Sequence, residues 1–137
     1  MRARIWGCRG SIATPGPETI RYGGNTSCVE VRGDHGEAIV LDAGTGARPL
    51  GDELMRSPVP RIDLLLTHLH VDHLEGLGMF GPIWSPDTEL HIWGPPSPIA
   101  SLDERIATYF SPPLFPVHLA EVPARVSFHD APREPWT

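Results

Sequence analysis

At 137 residues, the chain has room for one domain with a single core and not for two. Its 40% hydrophobic and 20% charged content excludes the disordered and collagen-like classes. Eleven Lys and Arg against seventeen Asp and Glu leave a formal net charge of −6. The overall field therefore favours neither a nucleic-acid backbone nor an anionic membrane, and only a local basic groove stays open.

The opening MRARIWGCRGSIA lacks the apolar segment of a secretory signal, and no apolar run approaches the ~20 residues of a spanning helix. The expectation is a cytoplasmic protein with no membrane partner. Cys8 and Cys28 have neither CxxC spacing nor the density of a stapled secreted scaffold, so both are expected as reduced, packed thiols.

In chain order, ARIWG (3–7) reads as a short strand. It runs into GCRGSIATPGPETIRYGG, which glycine and proline break too often for a regular element, and a loop of that length is usually functional or mobile. SCVEVR (27–32) alternates, with Val29 and Val31 on one face and Cys28, Glu30 and Arg32 on the other, as in a half-buried strand. GDHGE turns the chain into AIVLD (38–42), giving a hairpin. A short helix follows AGTG, with Leu50, Leu54 and Met55 on one face and Pro49 tolerated in the first turn.

RIDLLLT (61–67) reads as a strand buried on both faces. ELHIW (89–93) is another strand. Ser97 and Pro98 look like an N-cap and first helical position, with Ile99, Leu102, Ile106 and Phe110 recurring at helical spacing. RVSFH (125–129) is a last strand. Strands and a hairpin followed by alternating helix and strand predict an α/β (α+β) fold, a mixed sheet with helices packed on it.

The stretch THLHVDHLEG (67–76) holds three of the seven histidines directly after an apolar strand. Side chains alternate along a strand, so His68 and His70 can point the same way and share one cation. Asp72 and His73 follow where the chain turns and can face a second. Imidazole and carboxylate suit zinc, and also manganese or iron. Two ions roughly 3.5 to 4 Å apart can polarise a phosphoryl or carbonyl oxygen, which is hydrolysis without a protein nucleophile.

The H-x-H-x-D-H spacing at His68, His70, Asp72 and His73 resembles the signature of the metallo-β-lactamase fold superfamily. VLDAGTG resembles that superfamily's upstream turn and places Asp42 beside the metals, where a carboxylate orients ligating imidazoles. WGCRGSIATPGPETIRYGGNTSCVEV resembles the start of the ribonuclease Z-like and cyclic-nucleotide-phosphodiesterase-like branch. There the first long loop borders the active site, so the resemblance brings Arg9, Arg21, Tyr22 and Asn25 near substrate. It implies a metal-dependent hydrolase of the phosphodiesterase or nuclease type. Zinc is implied in two sites, a hydroxide bridges the ions, and Asp72 acts as both ligand and proton acceptor. The substrate expected is a small-molecule or nucleotide phosphodiester.

The resemblance covers nearly the whole chain, yet residues 1–137 match only the N-terminal half of that family's αββα sandwich. The expectation is a single, incomplete domain with helices on one face of its sheet. The family completes its sites with a third histidine, a bridging aspartate and a final histidine from its second half. Here His68 with His70, and Asp72 with His73, supply two ligands per ion, whereas catalytic zinc usually has three. Among the other histidines, His129 ends a strand and is a candidate ligand, His91 is expected to be structural, and His118 and His35 to face solvent. The missing half would leave a sheet face open, which a second copy could cover as a homodimer. Weak or absent activity is expected of these residues alone. A carboxyl-ester or lactone hydrolase on the same site, and a non-catalytic metal-binding fragment, remain as alternatives.

Overall fold

The computed structural model describes residues 1–34 and 36–135. His35, expected in the solvent, lies outside the described residues. Six strands form one sheet in sequence order: β1 Arg2–Gly7, β2 Cys28–Arg32, β3 Ala38–Leu41, β4 Arg61–Leu65, β5 Glu89–Gly94 and β6 Arg125–Asp130. The first two pairings are antiparallel and the next three parallel. The tight β2–β3 connection makes a hairpin, whereas each parallel pair is separated by a longer crossover. Those crossovers carry α1 (Ala47–Arg56) after β3 and α2 (Leu102–Ala107) after β5, with 3-10 turns between β4 and β5. The fold is α/β with a mixed sheet, as the order of elements predicts. Among the described residues no helix is long and apolar enough to cross a membrane.

One sheet face is the core. Cys28, Glu30, Ala38, Val40, Ile62, Leu64, Leu90 and Ile92 lie on it, each no more than 2% exposed. Leu50 and Leu54 of α1, Leu102 and Ile106 of α2, and Phe80, Ile83 and Phe110 are buried with it. Each such side chain removed from water contributes roughly 1.5 to 3 kcal/mol.

Among the described residues the other face carries no helical layer. One row crosses the whole sheet in register, Ile5, Val29, Leu41, Leu65, Trp93 and His129, and a second runs through Ala3, Val31, Ile39, Asp63, His91 and Ser127. Ile5 is 68% and Ile39 39% exposed. Helices on one face only is the expected arrangement of half a sandwich.

Three local expectations change. β4 is not buried on both faces: Ile62 and Leu64 are in the core, while Asp63 and Leu65 sit half-exposed on the open one. In β2 the expected alternation holds, and the side carrying Cys28 and Glu30 is the buried one. Glu30 is taken into the core because its carboxylate pairs with the Arg32 guanidinium and accepts a hydrogen bond from Trp6 Nε1 at 3.1 Å, while Val29 and Val31 face outward. Met55 leaves the apolar stripe of α1 and is 47% exposed.

The last change is in α2, which starts at Leu102, not after Ser97. Ser101 is the N-cap and forms a reciprocal box with Glu104, satisfying two otherwise orphaned backbone donors. Ser97 instead accepts the Ile99 N–H in a turn, and Ile99 is 91% exposed.

Candidate metal centre

The C-terminal ends of β3 and β4 lie side by side, because the strands are parallel neighbours with Leu41 opposite Leu65. Two loops leave those ends. The loop after β3 and the loop after β4 are zipped together by Ala43 N–H to His73 O at 2.8 Å and Gly76 N–H to Ala43 O at 2.9 Å. The contact is so close that a Cβ on Gly44 would lie 2.4 Å from Asp72 O, and one on Gly76 would lie 1.9 Å from Gly44 O. Glycine is required at both places.

Asp42 organises the site. It is 4% exposed and holds a left-handed backbone, φ 62°, a conformation aspartate tolerates better than most residues. Its carboxylate accepts from Thr67 N–H at 2.9 Å, from Thr67 Oγ1 at 2.9 Å, from Ser27 Oγ at 3.1 Å and from His73 Nδ1 at 2.8 Å. Thr67 spends its proton on Asp42, so its oxygen is left to accept from His68 Nδ1, 3.1 Å away. The two contacts assign the Nδ1–H tautomer to His68 and His73, which turns both Nε2 lone pairs outward.

The candidate ligands are brought together. The His68 ring centroid lies 4.4 Å from that of His70 and 4.1 Å from that of His73. Asp72 Oδ2 is 3.6 Å from His73 Nε2 and accepts the main-chain N–H of Ser11 at 2.7 Å. That N–H is the largest influence on the Asp72 carboxyl and holds it below the usual carboxylate range, with burial opposing and the charge of His73 assisting. Asp72 therefore stays ionised, as a ligand must, to lower pH than a free carboxyl.

Imidazoles with outward Nε2 atoms and a carboxylate fit a divalent cation in chemistry and proximity. They fit it as pairs. Among the described residues no group of three His, Cys, Asp or Glu surrounds a common point where an ion would sit. Cys28 is fully buried in the core, where burial and then the charges of Asp42 and Glu30 push its thiol up to about 12. Cys28 is the packed thiol expected, whereas Cys8 is exposed.

The remaining histidines lie elsewhere. His91 and His129 face each other across β5 and β6 at 2.8 Å, His91 Nε2 meets Glu89 at 2.8 Å, and His129 stacks on Trp93 with centroids 4.1 Å apart. His129 thus spends its ring on the open sheet face. His118 is exposed and precedes a 3-10 turn at Leu119–Glu121.

The long loop between β1 and β2 arches over the cluster. Arg9, Arg21 and Tyr22 are exposed on it, with the Arg21 guanidinium 5.0 Å from the Tyr22 ring centre. Asn25 sits at its root, its Nδ2 donating to Trp6 O at 3.4 Å and its Oδ1 accepting from Thr45 Oγ1 at 3.2 Å. Two features had no clear sequence signal. One is the Ser11 contact, made by backbone alone. The other is a cleft of about 380 Å³ between the loop, the first turn of α1 and residues 75–79, bordered by Arg48 and Glu75.

A mixed α/β sheet carrying a histidine–aspartate cluster at the ends of parallel strands defines the class. Residues 21–134 match the family described as the metallo-beta-lactamase superfamily, and the chain belongs to it. It is 31% identical over 99 residues to a ribonuclease Z of Thermococcus gammatolerans, covering 69% of this chain and 32% of that protein. A ribonuclease Z of Pyrococcus abyssi is 28% identical over 104 residues, covering 74% and 34%. The chain thus spans about a third of the length of these relatives. A solved diphosphatase of the PhnP family superposes with a TM-score of 0.58 at 15% identity, over 96% of this chain and 51% of that one, which shows the shared fold.

Proposed function

We propose that His68, His70, Asp72 and His73 hold a pair of divalent cations, zinc first with manganese or iron as alternatives, for the hydrolysis of a phosphodiester. The observation that carries this reading is the Asp42 hub. By taking the His73 Nδ1–H directly, and that of His68 through Thr67, it presents both Nε2 atoms for coordination, the arrangement that orients ligating imidazoles in metal sites. The phosphodiester preference draws on the ribonuclease Z and diphosphatase likenesses.

When bound, such cations polarise a phosphoryl oxygen and lower the pKa of water at neutral pH. The chain's own residues do the rest. His68 and His70 form one ligand pair and His73 with Asp72 the other. Asp72, kept ionised by Ser11, is both ligand and proton acceptor at its carboxylate. Arg9, Arg21 and Tyr22 are assigned to the substrate phosphate from the exposed loop, and Arg48 lines the cleft at the first turn of α1. Asn25 serves that surface by holding the loop's root.

The test is turnover of bis(p-nitrophenyl) phosphate with added zinc or manganese, in the longest chain that carries residues 1–137. His68→Ala and Asp72→Ala should each lower the rate by at least about tenfold. Turnover untouched by both substitutions would end the phosphodiesterase reading.

A non-catalytic, metal-binding role is the second reading, favoured by the absence among the described residues of any three-ligand group. It predicts metal uptake without turnover in the same assay.

A further inference from the structure

We infer that Ser11 is a positioning residue for Asp72, acting through its main-chain N–H, which the braced loop between β1 and β2 aims at the carboxylate. The inference rests on the proposal that Asp72 is a metal ligand. Three observations point the same way.

The first is strain. Ser11 has φ 69°, a left-handed conformation that a residue with a Cβ rarely adopts. Glycine, free of that restriction, stands next to it at position 10. Such outliers persist only where surrounding structure fixes them, and they gather at functional sites.

The second is bracing. The Cys8 and Arg9 N–H groups both donate to Asn25 O, at 3.0 and 2.9 Å, and Arg9 forms a bridge with Thr26. Ile12 N–H closes a tight turn onto Gly10 O at 2.9 Å, Thr14 N–H reaches Gly24 O at 2.9 Å, and Thr19 Oγ1 donates to Thr14 O at 2.8 Å. The Ser11 N–H therefore belongs to a frame tied at both sides, and it meets Asp72 in a set position.

The third is the bond itself. Ser11 and Asp72 are 61 positions apart in sequence, and the N–H reaches Oδ2 at 2.7 Å, the length of a charge-assisted bond. Oδ2 is also the oxygen nearest His73 Nε2, at 3.6 Å. The donor thus fixes the carboxylate relative to its partner imidazole. Ligating carboxylates are commonly held by such outer donors, and losing one costs about 10- to 100-fold in metal affinity. The contact is made by the main-chain N–H and not by the serine hydroxyl.

The experiment targets that N–H. Residues 1–27 are made synthetically and ligated at Cys28 to recombinant 28–137, once with the native amide at Ser11 and once with an ester that removes its N–H and also weakens the Gly10 carbonyl that accepts from Ile12 N–H. A second ester, at Ile12, breaks the same turn but keeps the Ser11 N–H, and should bind zinc as the native chain does. Recombinant Ser11→Gly keeps both the N–H and the left-handed backbone. Zinc titration by calorimetry should show the Ser11 ester form weakened by about tenfold or more, with Ser11→Gly equal to the native chain.

The amide proton of residue 11 in the metal-free protein supplies a second readout. It should resonate far downfield in the native chain and in Ser11→Gly, and move upfield on Asp72→Asn. Undiminished affinity in the folded Ser11 ester form, or an amide proton indifferent to Asp72→Asn, overturns the inference while leaving the metal reading intact. Weakening in Ser11→Gly or in the Ile12 ester equal to that of the Ser11 ester form overturns it too. A native chain that takes up no zinc removes the metal reading and this inference together.

Discussion

Replacing Asp42 with alanine is expected to damage the protein twice, once in stability and once in zinc affinity. The carboxylate is buried and accepts from a backbone N–H, two hydroxyls and an imidazole. Its removal strands several donors, and each buried group left unpaired costs about 1 to 3 kcal/mol. Waters entering the space recover part of this, so a net loss near about 3 kcal/mol is expected in urea unfolding with chelator present. Independently, His73 loses the acceptor that fixes its tautomer, and His68 loses it through Thr67. Zinc affinity should fall by about 10- to 100-fold. The milder Asp42→Asn keeps the volume but turns one acceptor oxygen into a donor facing other donors, so it should separate the two effects and lower affinity with the fold intact. Unchanged zinc binding in a folded Asp42→Asn chain would make Asp42 a purely structural residue.

The second large effect lies in the core. Glu30 is 2% exposed and is held by Arg32, which is 18% exposed, and by Trp6 Nε1. Glu30→Ala should cost about 3 kcal/mol, because it leaves the guanidinium unpaired at the edge of an apolar layer. The ion pair itself has little net worth, since desolvation offsets its attraction. The double substitution Glu30→Met with Arg32→Met should therefore recover most of the loss. Equal destabilisation in the single and double variants, read from denaturant midpoints, would show that the Trp6 hydrogen bond and packing, not the stranded charge, set the cost.

These two residues mark how far the sequence could be read. The cluster was legible because its spacing follows an apolar strand directly, and alternation along that strand puts His68 and His70 together without tertiary information. The mixed sheet and the β2–β3 hairpin followed from the order of elements and the short GDHGE turn, whereas the order of the six strands came from the structure. Glu30 was not legible. Alternation in SCVEVR separates two faces but does not say which is the core, and the answer depends on Trp6, 24 positions away. The valine side belongs to the open face shared with Ile5 and Ile39. For β4 the apolar run DLLLT similarly hid that Asp63 and Leu65 face outward.

The start of α2 was misplaced by a local signal. Ser97–Pro98 is a fair helix opening, but Ser101 and Glu104 stand three apart and cap reciprocally, a stronger device that the sequence did display. Ser11 lay beyond reach for another reason. Its contribution is an N–H that every residue but proline possesses, so nothing in its side chain announces it; the left-handed backbone and the distant Asp72 had to be seen together.

The central claim is that His68, His70, Asp72 and His73 form paired metal ligands steered by Asp42. Calorimetric titration of the chelator-treated, folded chain with zinc tests it most directly, beside the quadruple variant with alanine at these four positions. Saturable uptake by the native chain that the quadruple variant lacks is the predicted result. Native chain that takes up no zinc, or a variant that takes up as much as the native chain, would contradict the account.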